Sequence, residues 1–122
     1  MASTSLNIHD IARDISSSIS VNSTYFEKHT NFSAFMIGNL VIINAAVKIK
    51  ATLPSTGNIT VLSGVPISSH PCMGFTTSNA ASIKGMSLSK AANSSNVVRT
   101  WADQGVSSSV GDAFQGYLIY SI

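Results

Sequence analysis

The sequence predicts an all-β domain, an antiparallel β-sandwich with a short N-terminal helix. Three observations carry that prediction. Apolar residues alternate with period two over most of the chain after residue 20, and a helical spacing occurs only before it. Clusters of Gly, Pro, Asn and Ser interrupt the alternation at roughly eight- to twelve-residue intervals, the rhythm of sandwiches and barrels. The chain of 122 residues, 44% of them hydrophobic, suffices for one core and one domain. The division expected is an N-terminal helix or stalk segment over 1–20 and a β-sandwich over 21–122.

Ile8, Ile11, Ile15 and Ile19 are spaced by three and four, one apolar helical stripe within Leu6 to Ser20. Asn7 or Asp10 would cap it. The serines at 16–18 weaken helix propensity, so the stripe needs a surface to pack on, either its own domain or copies of itself. From Val21 the period changes to two, and a first strand is expected to end near Glu27 and Lys28. Phe32 to Ile37, the Gly38-Asn39 pair and the run Leu40 to Lys50 then read as a β-hairpin. In that run Val41, Ile43, Ala45, Val47 and Ile49 form a dry face, and Asn44, Ala46, Lys48 and Lys50 a wet one.

Turn residues at 54–58 precede a short strand over Ile59 to Leu62. Further strands are expected over Met73 to Thr77, Ser82 to Leu88, Val97 to Trp101, Gly105 to Val110 and Phe114 to Ile122. In the last, Tyr117 and Ile119 oppose Leu118, Tyr120 and Ile122. Large apolar groups on both faces call for burial on both, centrally in a sheet or at a subunit interface.

Composition narrows function. Only 10% of residues are charged, and Ser, Thr and Asn stand where charges usually do. The seven basic residues are scattered and the net charge is +2, so no nucleic-acid footprint is expected. No run approaches the length of a membrane span, and Met1 to Ser5 lack a basic targeting region, so neither membrane insertion nor secretion by signal peptide is expected. The single cysteine, Cys72, forms no internal disulfide, which suits synthesis in a cytoplasm and leaves stability to packing or association.

No motif marks a catalytic site: there is no Gly-x-Ser-x-Gly elbow, no His-Glu-x-x-His, no phosphate-cradling glycine loop and no Cys-x-x-Cys pair. An acid pair would have to come from Glu27, Asp103 and Asp112, and nothing brings two of them together. His9, His29 and His70 stand far apart; the nearest approach to a metal pair, His70 and Cys72, reads as a loop histidine beside a buried cysteine. The expectation is a binding module, not an enzyme, with no metal and no cofactor. One segment has the residue types of a saccharide site: Arg99, Trp101, Asp103 and Gln104 set an aromatic face among planar polar groups that take hydroxyls. The competing reading buries Trp101 in the core or at a subunit interface.

The run Asn31 to Lys50 (NFSAFMIGNLVIINAAVKIK), followed by Thr52-Leu53-Pro54 and by Val61 to Ile67 (VLSGVPI), resembles the C-terminal head domains of bacteriophage tail-fibre and baseplate receptor-binding proteins. The resemblance covers roughly Asn31 to Ile122. The ending Phe114 to Tyr120 (FQGYLIY) is similar to the last strand of C1q and tumour-necrosis-factor-like domains, although the collagen repeats that usually precede a C1q head do not occur here. Both resemblances imply a homotrimer of jelly-roll sandwiches with the final strand near the threefold axis. The first implies a virion tail or baseplate protein that binds host cell-wall saccharide without cleaving it, alongside other tail or baseplate proteins. The alternatives are a purely structural virion or baseplate subunit and a C1q-like trimeric protein-binding module.

Overall fold

The computed structural model describes residues 12–54, 57–78, 85–100 and 109–122. These residues form two antiparallel sheets. One is four-stranded, in the order β1 (Ala12–Asp14), β4 (Ser33–Ile37), β5 (Leu40–Asn44), β12 (Tyr117–Ser121). The other is eight-stranded, in the order β2 (Ser20–Val21), β7 (Ile59–Ser63), β10 (Asn96–Arg99), β9 (Gly85–Lys90), β8 (Cys72–Ser78), β11 (Ala113–Gln115), β6 (Val47–Ile49), β3 (Phe26–Lys28). The all-β, antiparallel prediction holds, as a sandwich whose sheets run into one another at corners.

The corners explain where the expected elements differ from the observed ones. In Leu40 to Lys50 the expected dry row of Val41, Ile43, Ala45, Val47 and Ile49 is all buried, but Ala46, expected on the wet face, is buried too, because the run is two strands in two sheets. The chain turns at Ala45-Ala46, both fully buried, and the Ala45 N–H donates to the Gly116 carbonyl at 2.8 Å. Gly116 is the matching corner between β11 and β12. A Cβ there would collide with the Phe75 carbonyl oxygen and stand 2.8 Å from the Thr76 Cα. Small residues occupy both corners because the backbones touch there, as strands that switch sheets require.

The predicted N-terminal helix is not present over 12–20; its first part, 6–11, lies outside the described residues. β1 pairs with β4, a single 3₁₀ turn spans Ser16–Ser18, and β2 pairs with β7. Ile15 and Ile19 are nonetheless both buried, since one tight turn between two strands also brings residues four apart to the same side. The serines favour the turn: the Ser16 Oγ accepts from the Ala34 N–H at 2.9 Å. Gly64, at φ +82°, lets the Ser18 carbonyl approach a position that a Cβ would fill.

The hairpin is as expected. Ile37 faces Leu40 across Gly38-Asn39, with φ positive at Gly38 alone, the type II′ pattern. Lys48 and Lys50 are exposed, and Lys48 stands 3.9 Å from Glu27 on the neighbouring strand. Between the sheets lies one core, containing Phe26, Ile43, Leu62, Leu88, Phe114 and Leu118 among its members.

Candidate functional site

Residues paired across an antiparallel ladder share a face, so register alone defines the outer surface of the four-stranded sheet. One row runs Asp14, Phe35, Ile42, Ile119; a second runs Ala12, Ile37, Leu40, Ser121; a third runs Ser33, Asn44, Tyr117. Apart from Asp14 at the β1 edge, these rows hold no charge. The alternation in β12 decides which groups go inward: Leu118 and Tyr120 are 1% and 8% exposed, whereas Tyr117 and Ile119 are 60% and 56% exposed. The expectation that the last strand is covered on both faces is not met within one chain. The core lies on one side of the four-stranded sheet only, so one face of β12, as of β4 and β5, meets it.

The apolar surface continues past that edge. Sγ of Cys72 lies 3.6 Å from the Ile119 carbonyl, and a Cβ on Gly74 would stand 2.7 Å from Leu118 Cδ2, so β8 runs close beside β12. Met73, exposed, lies beside Ile119 from the neighbouring sheet, whereas the Phe75 ring, also exposed, lies over Gly85 on β9. A groove of about 380 Å³ separates the two strands, lined by exposed Met73 and Ile119 and, deeper, by buried Cys72 and Tyr120.

Polar groups beneath this groove fix its shape. The Tyr120 hydroxyl donates to the Pro66 carbonyl at 2.6 Å, and the Ser68 hydroxyl to the Ser121 carbonyl at 2.7 Å. Lys90, 1% exposed, points its ammonium at the Tyr120 ring, 4.9 Å from the centroid, and donates to the carbonyls of Ala91 and His70. Burial pushes the Tyr120 hydroxyl and the Cys72 thiol above their ordinary values. The Cys72 thiol faces the carbonyls of Met73 and Ile119, and both this setting and its burial favour the protonated thiol. Among the described residues no group of three or more His, Cys, Asp or Glu is placed to hold a metal ion, and no helix is long and apolar enough to cross a membrane.

Of the four residues with saccharide-site chemistry, Arg99 alone is described; Trp101, Asp103 and Gln104 lie outside the described residues, as do 105–108 of the strand expected over 105–110. Arg99 is buried at the end of β10, and its Nη2 donates to the carbonyls of Pro54 at 2.8 Å and Gly57 at 3.3 Å. The guanidinium thus ties β10 to Pro54 and Gly57. The apolar face of the four-stranded sheet was legible in part, through the two-sided last strand; its continuation through Met73 was not, because that residue is distant in sequence from β12. Compared with protein-family models, curated proteins and solved structures, the chain matches none.

Proposed function

We propose that this chain is a jelly-roll-type, self-associating head of a phage tail or baseplate receptor-binding protein, and that it binds host cell-surface saccharide without cleaving it. The observation that supports the reading most directly is the uncharged apolar face of β4, β5 and β12. With strands ~4.8 Å apart and ~3.3 Å per residue, that face and the adjoining edge of β8 cover roughly 300–400 Å² in plan. A monomer seldom leaves a larger apolar patch in water. A stable contact covers about 800 Å² per partner, so in this reading the patch is the apolar centre, and less than half, of one of the two contacts that each subunit makes around a threefold axis. Its occupant in this reading is a second copy of the same chain. The resemblance to tail-fibre heads and the neutral, hydroxyl-rich surface support the saccharide part, for which Trp101, Asp103 and Gln104 remain the proposed contacts and Arg99 anchors the strand that leads to them.

A second reading, a purely structural virion or baseplate subunit, is favoured by one observation: the Arg99 guanidinium is already engaged by two backbone carbonyls. Light scattering on the purified chain, with Trp101 emission recorded during titration with extracted host cell-wall saccharide, separates the two. The expected result is three times the chain mass and a saccharide-dependent emission shift, and Ile119→Lys, with its charge on the apolar face, should give a folded monomer. A trimer with unmoved emission selects the structural subunit. A monomeric wild type overturns the self-associating head.

A further inference from the structure

On the outer surface of the eight-stranded sheet, β8, β9 and β10 bear a second recess of about 380 Å³, separate in its chemistry from the apolar face. Met73, Ser89 and Val98 form its central row, placed side by side by the ladder register. Asn58, Ser94 and Asn96 also line it, from the chain ends that lead into β7 and β10. Lys90, the one charged residue among the described residues of the lining, turns its ammonium onto the Tyr120 ring and the Ala91 carbonyl. No acidic side chain is among the described residues that line it.

What the recess offers a ligand is therefore two hydroxyls, carboxamides and a small apolar patch. A carboxamide donates and accepts at once, which matches a hydroxyl that does the same. Ser94 Oγ accepts from the Asn96 N–H at 3.1 Å, leaving its own hydrogen to donate. Among the described residues the Ser89 hydroxyl and the Asn96 carboxamide make no side-chain hydrogen bond to the protein. Met73, 71% exposed, and Val98 supply the surface that a sugar ring's C–H groups need. The volume falls at the small end of ligand pockets, with room for roughly one or two sugar rings. An anion would find no exposed cation here, and a cation no carboxylate.

We infer that this recess is a subsite for an uncharged saccharide, with Ser89 and Asn96 as its hydroxyl contacts and Met73 and Val98 as its apolar floor. The inference rests on the saccharide-binding reading and deepens it. Because Met73 also flanks Ile119, the subsite lies beside the face through which copies associate.

The test is an array of bacterial surface glycans, neutral and acidic, probed with the labelled full chain and with Ser89→Phe and Asn96→Ala. Both substitutions are on the outer surface, and each variant is first matched to wild type in mass and melting temperature. A variant that fails this match is replaced by Ser89→Gln or Asn96→Leu. The expected result is wild-type binding to neutral glycans, with at least a tenfold loss in each variant. Wild-type binding that both variants retain overturns the recess while leaving the saccharide reading in place. Binding confined to acidic glycans overturns the assignment to uncharged sugars. A wild type that binds no glycan removes the reading and the subsite together.

Discussion

The outward positions of the four-stranded sheet hold Phe35, Leu40, Ile42, Tyr117 and Ile119 beside Ser33, Asn44 and Ser121, whereas those of β9 hold Gly85, Ser87 and Ser89, paired with Thr77, Phe75 and Met73 on β8. Both surfaces back onto the same core, through inward residues of the same kind: Val41, Ile43 and Leu118 on one side, Met86 and Leu88 on the other. The core asks only that alternate residues be apolar. It places no demand on the outward ones, so the two outer faces are free to differ in composition. The contrast is between a face with a continuous apolar block and one on which hydroxyls and apolar side chains are interspersed.

The largest effect should come from crossing between the two sides of a single strand. Leu118→Ala removes a fully buried side chain and should lower stability by about 2–5 kcal/mol. Ile119→Ser, one residue on, should change the stability of the isolated chain by about 0.5 kcal/mol or less while weakening association. Urea unfolding at low and high protein concentration distinguishes them, because only the second effect depends on concentration. Equal losses at both positions would mean that the outer face is part of the chain's own core.

A smaller loss is expected where the two sheets part. Gly116→Ala places a Cβ against the Phe75 carbonyl and the Thr76 Cα, backbone that cannot rotate away, and should cost about 1–3 kcal/mol. The corner holds the apolar face at its angle to β8, so a blunted solution mass should accompany the loss. Thermal melts with light scattering on the same samples check both.

The smallest effect is a pH dependence set at the floor of the groove between the faces. Cys72 and Tyr120 are both neutral when protonated, and burial raises both above their ordinary values of 9.0 and 10.0. The folded state therefore holds these protons more tightly than the unfolded chain does. Their contribution is complete below the ordinary values and is lost as pH rises through the raised ones, so melting temperature should begin to fall above about pH 9. Cys72→Ala should flatten the first part of that fall. An unchanged profile would show that the groove floor is wet.

Part of this architecture was readable without coordinates. The buried row from Val41 to Ile49 follows from period two, and the Gly38-Asn39 hairpin from turn chemistry, since both depend on neighbours within a few residues. The site was read less well. Arg99 carries the right chemistry for a ligand, yet its donors meet Pro54 and Gly57, some forty residues away, and spacing contains no trace of that. The recess of Ser89, Asn96 and Met73 was missed because serines and asparagines abound in this chain, and only the ladder brings three particular ones together.

The helical stripe at the N-terminus shows the same boundary from the other side. Residues four apart share a side in a helix and also across a tight turn between strands, so spacing put Ile15 and Ile19 on one apolar side, while the backbone between them and the surface they pack on came only from the fold. By itself, then, the sequence determined the all-β class, the hairpin and the inward row from Val41 to Ile49, because alternation is a local property of an extended chain. The tertiary structure alone decided that the run from Leu40 to Lys50 belongs to two sheets, that β12 lies at an edge with Tyr117 and Ile119 uncovered, and that Met73 stands beside them. Which strands become neighbours depends on where backbones can approach closely, at Ala45-Ala46 and Gly116, and periodicity fixes faces without fixing neighbours.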